Sequence, residues 1–109
     1  MVEVKFYENE LKNRFEVTVK GHANTAEIGK DVICASVSIL SLTLIQTIKN
    51  MEKQGFFVNT PKYKVKDGFT SVICKPKEDY HDTVLNSLLT LKVGYNILSE
   101  GFPEIVKLI

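Results

Sequence analysis

A chain of 109 residues with 44% hydrophobic and 25% charged content has the size and composition of a single compact domain over residues 1–109, which excludes a disordered tail protein or a repeat array. Its formal net charge of +1 supplies no long-range field, so nucleic acid and anionic membranes are excluded as partners unless a local patch recruits them. Two cysteines behind an N-terminus without the basic and apolar blocks of an export signal read as free thiols of a cytoplasmic protein.

Val2, Val4 and Phe6 alternate with Glu3, Lys5 and Tyr7, and after Glu8–Asn13 the pattern resumes with Phe15, Val17 and Val19. Such period-2 patterning predicts a β-hairpin with one wet face, ending at Gly21-His22. Asp31 is placed to N-cap a helix from Val32 to about Gln54, stopped by Gly55. On that helix Ile33, Val37, Leu40, Leu44, Ile48 and Met51 form an apolar stripe for the sheet, and Ala35, Ile39 and Leu42 form a second one that needs its own cover. The run Val32–Ile48 would reach about 25 Å as a helix and carries Ser and Thr throughout, too short and too polar for a membrane span.

Phe56–Val65 and Phe69–Lys75 read as two strands joined at the turn pair Asp67-Gly68. Pro61 marks the first as an edge strand. Lys62, Lys64 and Lys66 then share a face, read as charge guarding the edge, with a row of phosphate contacts as the other reading. A second helix is expected from near Asp79 to Glu100 with Val84, Leu88, Leu91, Tyr95 and Leu98 as its core face, closed by Gly101 and Pro103, followed by a short strand within Glu104–Ile109. The order β-β-α-β-β-α(-β) is that of an α+β fold, a mostly antiparallel sheet with two long helices packed on it. Phe69–Cys74, rich on both faces, is expected inside the sheet.

Chemistry concentrates between Gly21 and Ser38. A helix N-terminus favours a thiolate, because its unpaired N–H groups and macrodipole point at the anion, and Cys34 falls in the first turn of the first helix. His22, at a strand end, is the natural base for that thiol, and the eleven residues Ala23–Ile33 between them allow the chain to turn from strand to helix, helped by Gly29, with the loop as a gate over a substrate. Against this stands an inert core cysteine, the role also given to Cys74. Ser38, one turn after Cys34, either orients the site or bonds back to a carbonyl one turn earlier. Asp31 is first a cap and second an orienter of His22. A metal site of His22, Cys34, Cys74 and His81 is a further alternative, although the spacings match no zinc pattern.

Gly21-His22-Ala23 followed by Gly29-Lys30-Asp31-Val32-Ile33-Cys34-Ala35-Ser36-Val37-Ser38 resembles the signature of the bacterial ribosomal-processing cysteine protease family, Prp or YsxB-like. The resemblance implies a cysteine endopeptidase without cofactor, a homodimer, whose substrate is the precursor of large-subunit ribosomal protein twenty-seven, cut after an aromatic residue to remove an N-terminal extension. It puts the catalytic pair on His22 and Cys34 and the motif's supporting residues on Gly21, Gly29, Asp31 and Ser38, and requires neither direct nucleic-acid binding nor a membrane. Asn24-Thr25-Ala26, Val32-Ile33 and Ser36 depart from the family pattern, the first of these within the expected gate. The rival reading is a non-catalytic, ribosome-associated protein-binding module.

Overall fold

The computed structural model describes residues 1–22 and 32–109 and the backbone of Asp31. Strands β1 (Val2–Asn9) and β2 (Arg14–Gly21) lead into helix α1 (Asp31–Lys53); β3 (Lys62–Lys66), β4 (Phe69–Cys74), a 3₁₀ turn (Glu78–Tyr80), helix α2 (His81–Gly101) and β5 (Val106–Leu108) follow. The five strands form one sheet in the order β3-β4-β2-β1-β5. Every pairing is antiparallel except β1 with β5, where Val2 lies opposite Val106.

Both helices lie on the same side of the sheet. Leu44, Ile48 and Met51 of α1 and Val84, Leu88 and Leu91 of α2 share a core with Phe15, Val17, Val72 and Cys74. A second cluster joins Val2, Val4, Val19, Ile33, Tyr95 and Val106, under the sheet end where β2 leaves for α1. The apolar alternation of β1 and β2 thus has one cause, burial of every second side chain under two helices. The helices run antiparallel. Leu40 packs on Gly94, where a Cβ would overlap its side chain, and the Tyr95 hydroxyl lies 3.0 Å from that of Ser41 in the buried contact between them.

The second apolar stripe of α1 faces outward, with Ile39 60% and Leu42 62% exposed. Helix α2 carries a matching stripe, unanticipated from its sequence, of exposed Leu89, Val93 and Ile97 at helical spacing. α1 alone among the described helices is long and apolar enough to cross a membrane, yet its inner stripe is taken up by the sheet.

Three expectations need correction. The strand foreseen over Phe56–Val65 is ordered as β only from Lys62 to Lys66, with Phe57 making an isolated bridge to Pro76. Phe57 turns into the helix-side core, and Pro61 lacks the N–H that would extend the ladder. α2 starts at His81 because Glu78–Tyr80 winds as a 3₁₀ turn, and it takes in Gly101, with Phe102 as its C-cap. Helix α1 already includes Asp31, which makes Cys34 its fourth residue, still in the first turn. The Asp31 side chain, Gly29 and the expected gate over 23–30 lie outside the described residues.

Candidate active site

β2 ends at Gly21, whose φ of +111° is open to glycine and strained for other residues. A Cβ there would also run into the carbonyl oxygen of Met1. The Gly21 N–H donates to the Gly68 carbonyl at 2.8 Å, so the strand end is tied to the β3–β4 turn. His22 follows directly, its carbonyl accepting a 2.8 Å hydrogen bond from the Met1 amino group. Its Nε2 lies 3.9 Å from Asp67 Oδ2, with the ring about half exposed and the carboxylate fully so.

Cys34 is exposed on the first turn of α1. It and His22 line one groove of about 550 Å³, a size suited to part of a peptide. One wall is α1, with Val37, Ser38, Leu42 and Ile45 below Cys34; the other is the β3–β4 hairpin from Val65 to Thr70. Both residues reach this groove because β2 ends and α1 begins at this corner of the sheet.

Of the supporting residues foreseen, Gly21 and Ser38 line the groove with the pair. Back-bonding to a carbonyl one turn earlier is made by Ser36, to Val32 at 2.7 Å; among the described residues Ser38 has no such partner. In the sequence Asp67 and Gly68 are turn residues alone; their place against His22 depends on the pairing of β2 with β4, for which the sequence near His22 carries no signal.

The alternative metal set is not assembled. Cys74 is 3% exposed in the helix-side core, paired with Phe15, six residues and therefore about 20 Å of strand from Gly21. Burial pushes its thiol up to about 12, which keeps it neutral and poor as a ligand. His81 sits at that far end too, donating from Nδ1 to Asn13 Oδ1 and lying 3.3 Å from Glu8 Oε2 through Nε2. Among the described residues no group of three His, Cys, Asp or Glu side chains could hold a metal ion.

Residues 1–107 match the family model for the cysteine protease Prp. The chain belongs to the Prp family. It is a cysteine protease by that membership, and its exposed Cys34 lines the same groove as His22. The fold also matches Prp from S. aureus, an essential ribosomal processing protease solved with a covalently linked product peptide, at 22% identity and a TM-score of 0.67, covering 99% of this chain and 97% of that one. A second structure of the S. aureus Prp, with a substrate peptide, gives 21% and 0.67 over 100% and 98%. SMU.848 from Streptococcus mutans gives 24% and 0.68 over 100% and 94%. No curated protein sequence gives a significant match.

Proposed function

We propose that this Prp family member is a cytoplasmic endopeptidase that removes the N-terminal extension of large-subunit ribosomal protein twenty-seven during ribosome assembly. The observation that carries the reading is that His22 and Cys34, from separate elements, line one groove. The name and bound peptides of the S. aureus relative add support from outside the chain.

In this reading the Cys34 thiol gives its proton to His22 and its sulfur attacks the scissile carbonyl carbon, and N–H groups at the start of α1 hold the resulting oxyanion. The C–N bond breaks as His22 passes its proton to the leaving amine. Water then attacks the thioester, losing a proton to His22 and returning Cys34 to its thiol or thiolate form. No cofactor enters these steps. The apolar Val37, Leu42, Ile45 and Val65 along the groove suit an aromatic side chain on the acyl side of the cut. Homodimer formation would cover the stripe of Leu89, Val93 and Ile97, whose exposure is otherwise unexplained.

A peptide spanning the extension junction tests the reading. The parent protein is expected to cut it after an aromatic residue, and Cys34→Ala to reduce the rate at least a thousandfold. Equal cutting by Cys34→Ala would remove the nucleophile assignment, and failure of the parent to cut would remove the substrate assignment.

A further inference from the structure

With both helices on one side, the other side of the sheet is covered by nothing among the described residues. Lys62, Lys64 and Lys66 project there from β3. Arg14 and Lys20 project from β2, Lys5 from β1 and Lys107 from β5, all in the outward phase of their strands. Against these seven cations the described strands present two carboxylates on the same face, Glu3 and Glu16. A chain of formal net charge +1 has therefore gathered positive charge on one surface.

Guarding a sheet edge accounts for the lysines of β3. It does not account for Arg14, Lys20 and Lys5, because β2 and β1 are interior strands with no free edge to protect. At one corner Lys12, Arg14, Lys62 and Lys75 surround a cleft of about 730 Å³ that no carboxylate lines. The Arg14 Nε there is buried with no hydrogen-bond partner among the described residues.

Aromatic rings lie among the cations. Tyr7 is 45% exposed with the Lys5 ammonium 5.7 Å from its ring centre, and the Lys64 ammonium stands 5.9 Å from the ring centre of Phe69. Flat rings interleaved with lysines on an open sheet suit bases that stack and phosphates that pair. An acidic peptide pairs with the cations but does not bring a ring at every residue for Tyr7 and Phe69 to stack on, and an anionic bilayer calls for apolar side chains that insert.

We propose that the uncovered sheet face binds single-stranded RNA, with phosphates along the Lys and Arg rows and bases on Tyr7 and Phe69. Most of this surface lies on the side of the sheet away from the helices, with Lys66 and Phe69 at its border with the groove, and its binding does not depend on the peptidase reading.

The test is fluorescence anisotropy of the full chain with a labelled 20-nucleotide single-stranded RNA of mixed sequence, from 50 to 300 mM salt. Binding is expected to weaken linearly in log–log form, with a slope of about −0.7 for each phosphate neutralised. Combined Lys5→Gln, Lys62→Gln and Lys64→Gln should weaken it at least tenfold and Tyr7→Ala about fivefold or more. Lys53→Gln with Lys92→Gln on the helices should change it less than twofold. Circular dichroism and junction-peptide cleavage report that the variants are folded. No binding at 50 mM salt, equal binding by the triple variant, or equal or tighter binding of polyglutamate, phosphatidylserine vesicles or single-stranded DNA of the same sequence would overturn the proposal.

Discussion

The imidazole of His22 rests against the α carbon of Gly68, so closely that a Cβ there would fall on Nε2 and within 2.9 Å of Cδ2 and Cε1. The β3–β4 turn is therefore the seat of the proposed base. Gly68→Ala should move the ring and reduce kcat/KM for the junction peptide by about 100-fold, the scale of an ångström of misplacement. It also strains a backbone at φ +72°, costing about 1 kcal/mol. Gly55→Ala carries the same strain at φ +78°, with only the end of the Lys77 side chain near it. A matched loss of melting temperature in both variants, with activity lost in Gly68→Ala alone, is the expected outcome of parallel thermal melts and peptide assays.

The two thiols should separate under alkylation. Iodoacetamide is expected to label Cys34, which is exposed, and to leave the buried Cys74 untouched until denaturant is added. Mass spectrometry of native and unfolded samples reads this as one adduct and then two.

Stability should fall on the alkaline side. Burial raises the Cys74 thiol from 9.0 to about 12. Burial first, then the hydrogen bond to Glu52 and its charge, raises the Tyr63 phenol from 10.0 to about 12. Tyr95 is also raised by burial, which outweighs the lowering by Ser41. Below pH 9 these groups are protonated in the folded and unfolded chain alike, and their stabilising contribution is complete. Above it the unfolded chain releases protons that the folded chain keeps, so stability is lost towards pH 12, at about 1.4 kcal/mol per pH unit for Cys74 alone. Urea unfolding at pH 8 and 10.5 should show the drop, and Cys74→Ala should make it shallower.

The buried hydroxyl pair between the helices is a further test. Tyr95 is fully buried and Ser41 is 8% exposed, so Tyr95→Phe leaves the Ser41 hydroxyl without its partner at a cost of about 1–2 kcal/mol. Tyr95→Phe combined with Ser41→Ala should cost less than the two single changes together, because the double variant leaves no orphan. Urea unfolding of the three variants measures the coupling.

The periodic elements were legible because each buries one face. The inner stripe of α1, the core face of α2 and the alternation of β1 and β2 all follow from that. Pro61 correctly announced an edge strand, while the inward turn of Phe57 shortened it unseen. The side of the sheet taken by each helix was not legible, since a helical stripe fits either face of a strand with outward Phe69 and Ile73. Parallel pairing of β5 with β1 was hidden for a related reason: three residues of alternation carry no direction. At the site, resemblance to the family signature, more than spacing, singled out His22 and Cys34 as candidates, but the approach of Asp67 and Gly68 is a product of strand register across β2 and β4 and leaves no local trace.

That last pairing reaches into synthesis. Val2, Val4, Ile33 and Tyr95 share their cluster with Val106, and Val2 donates its N–H to the Ile105 carbonyl at 2.6 Å. A nascent chain stalled before residue 105 has made both His22 and Cys34 but cannot close the packing beneath them. Closing a loop of nearly the whole chain is entropically the most expensive contact in the fold. Proteolytic competence is therefore expected to require the chain as far as Val106, and a fragment ending before Ile105 should hold both His22 and Cys34 without the packed cluster that joins β1, α1 and α2.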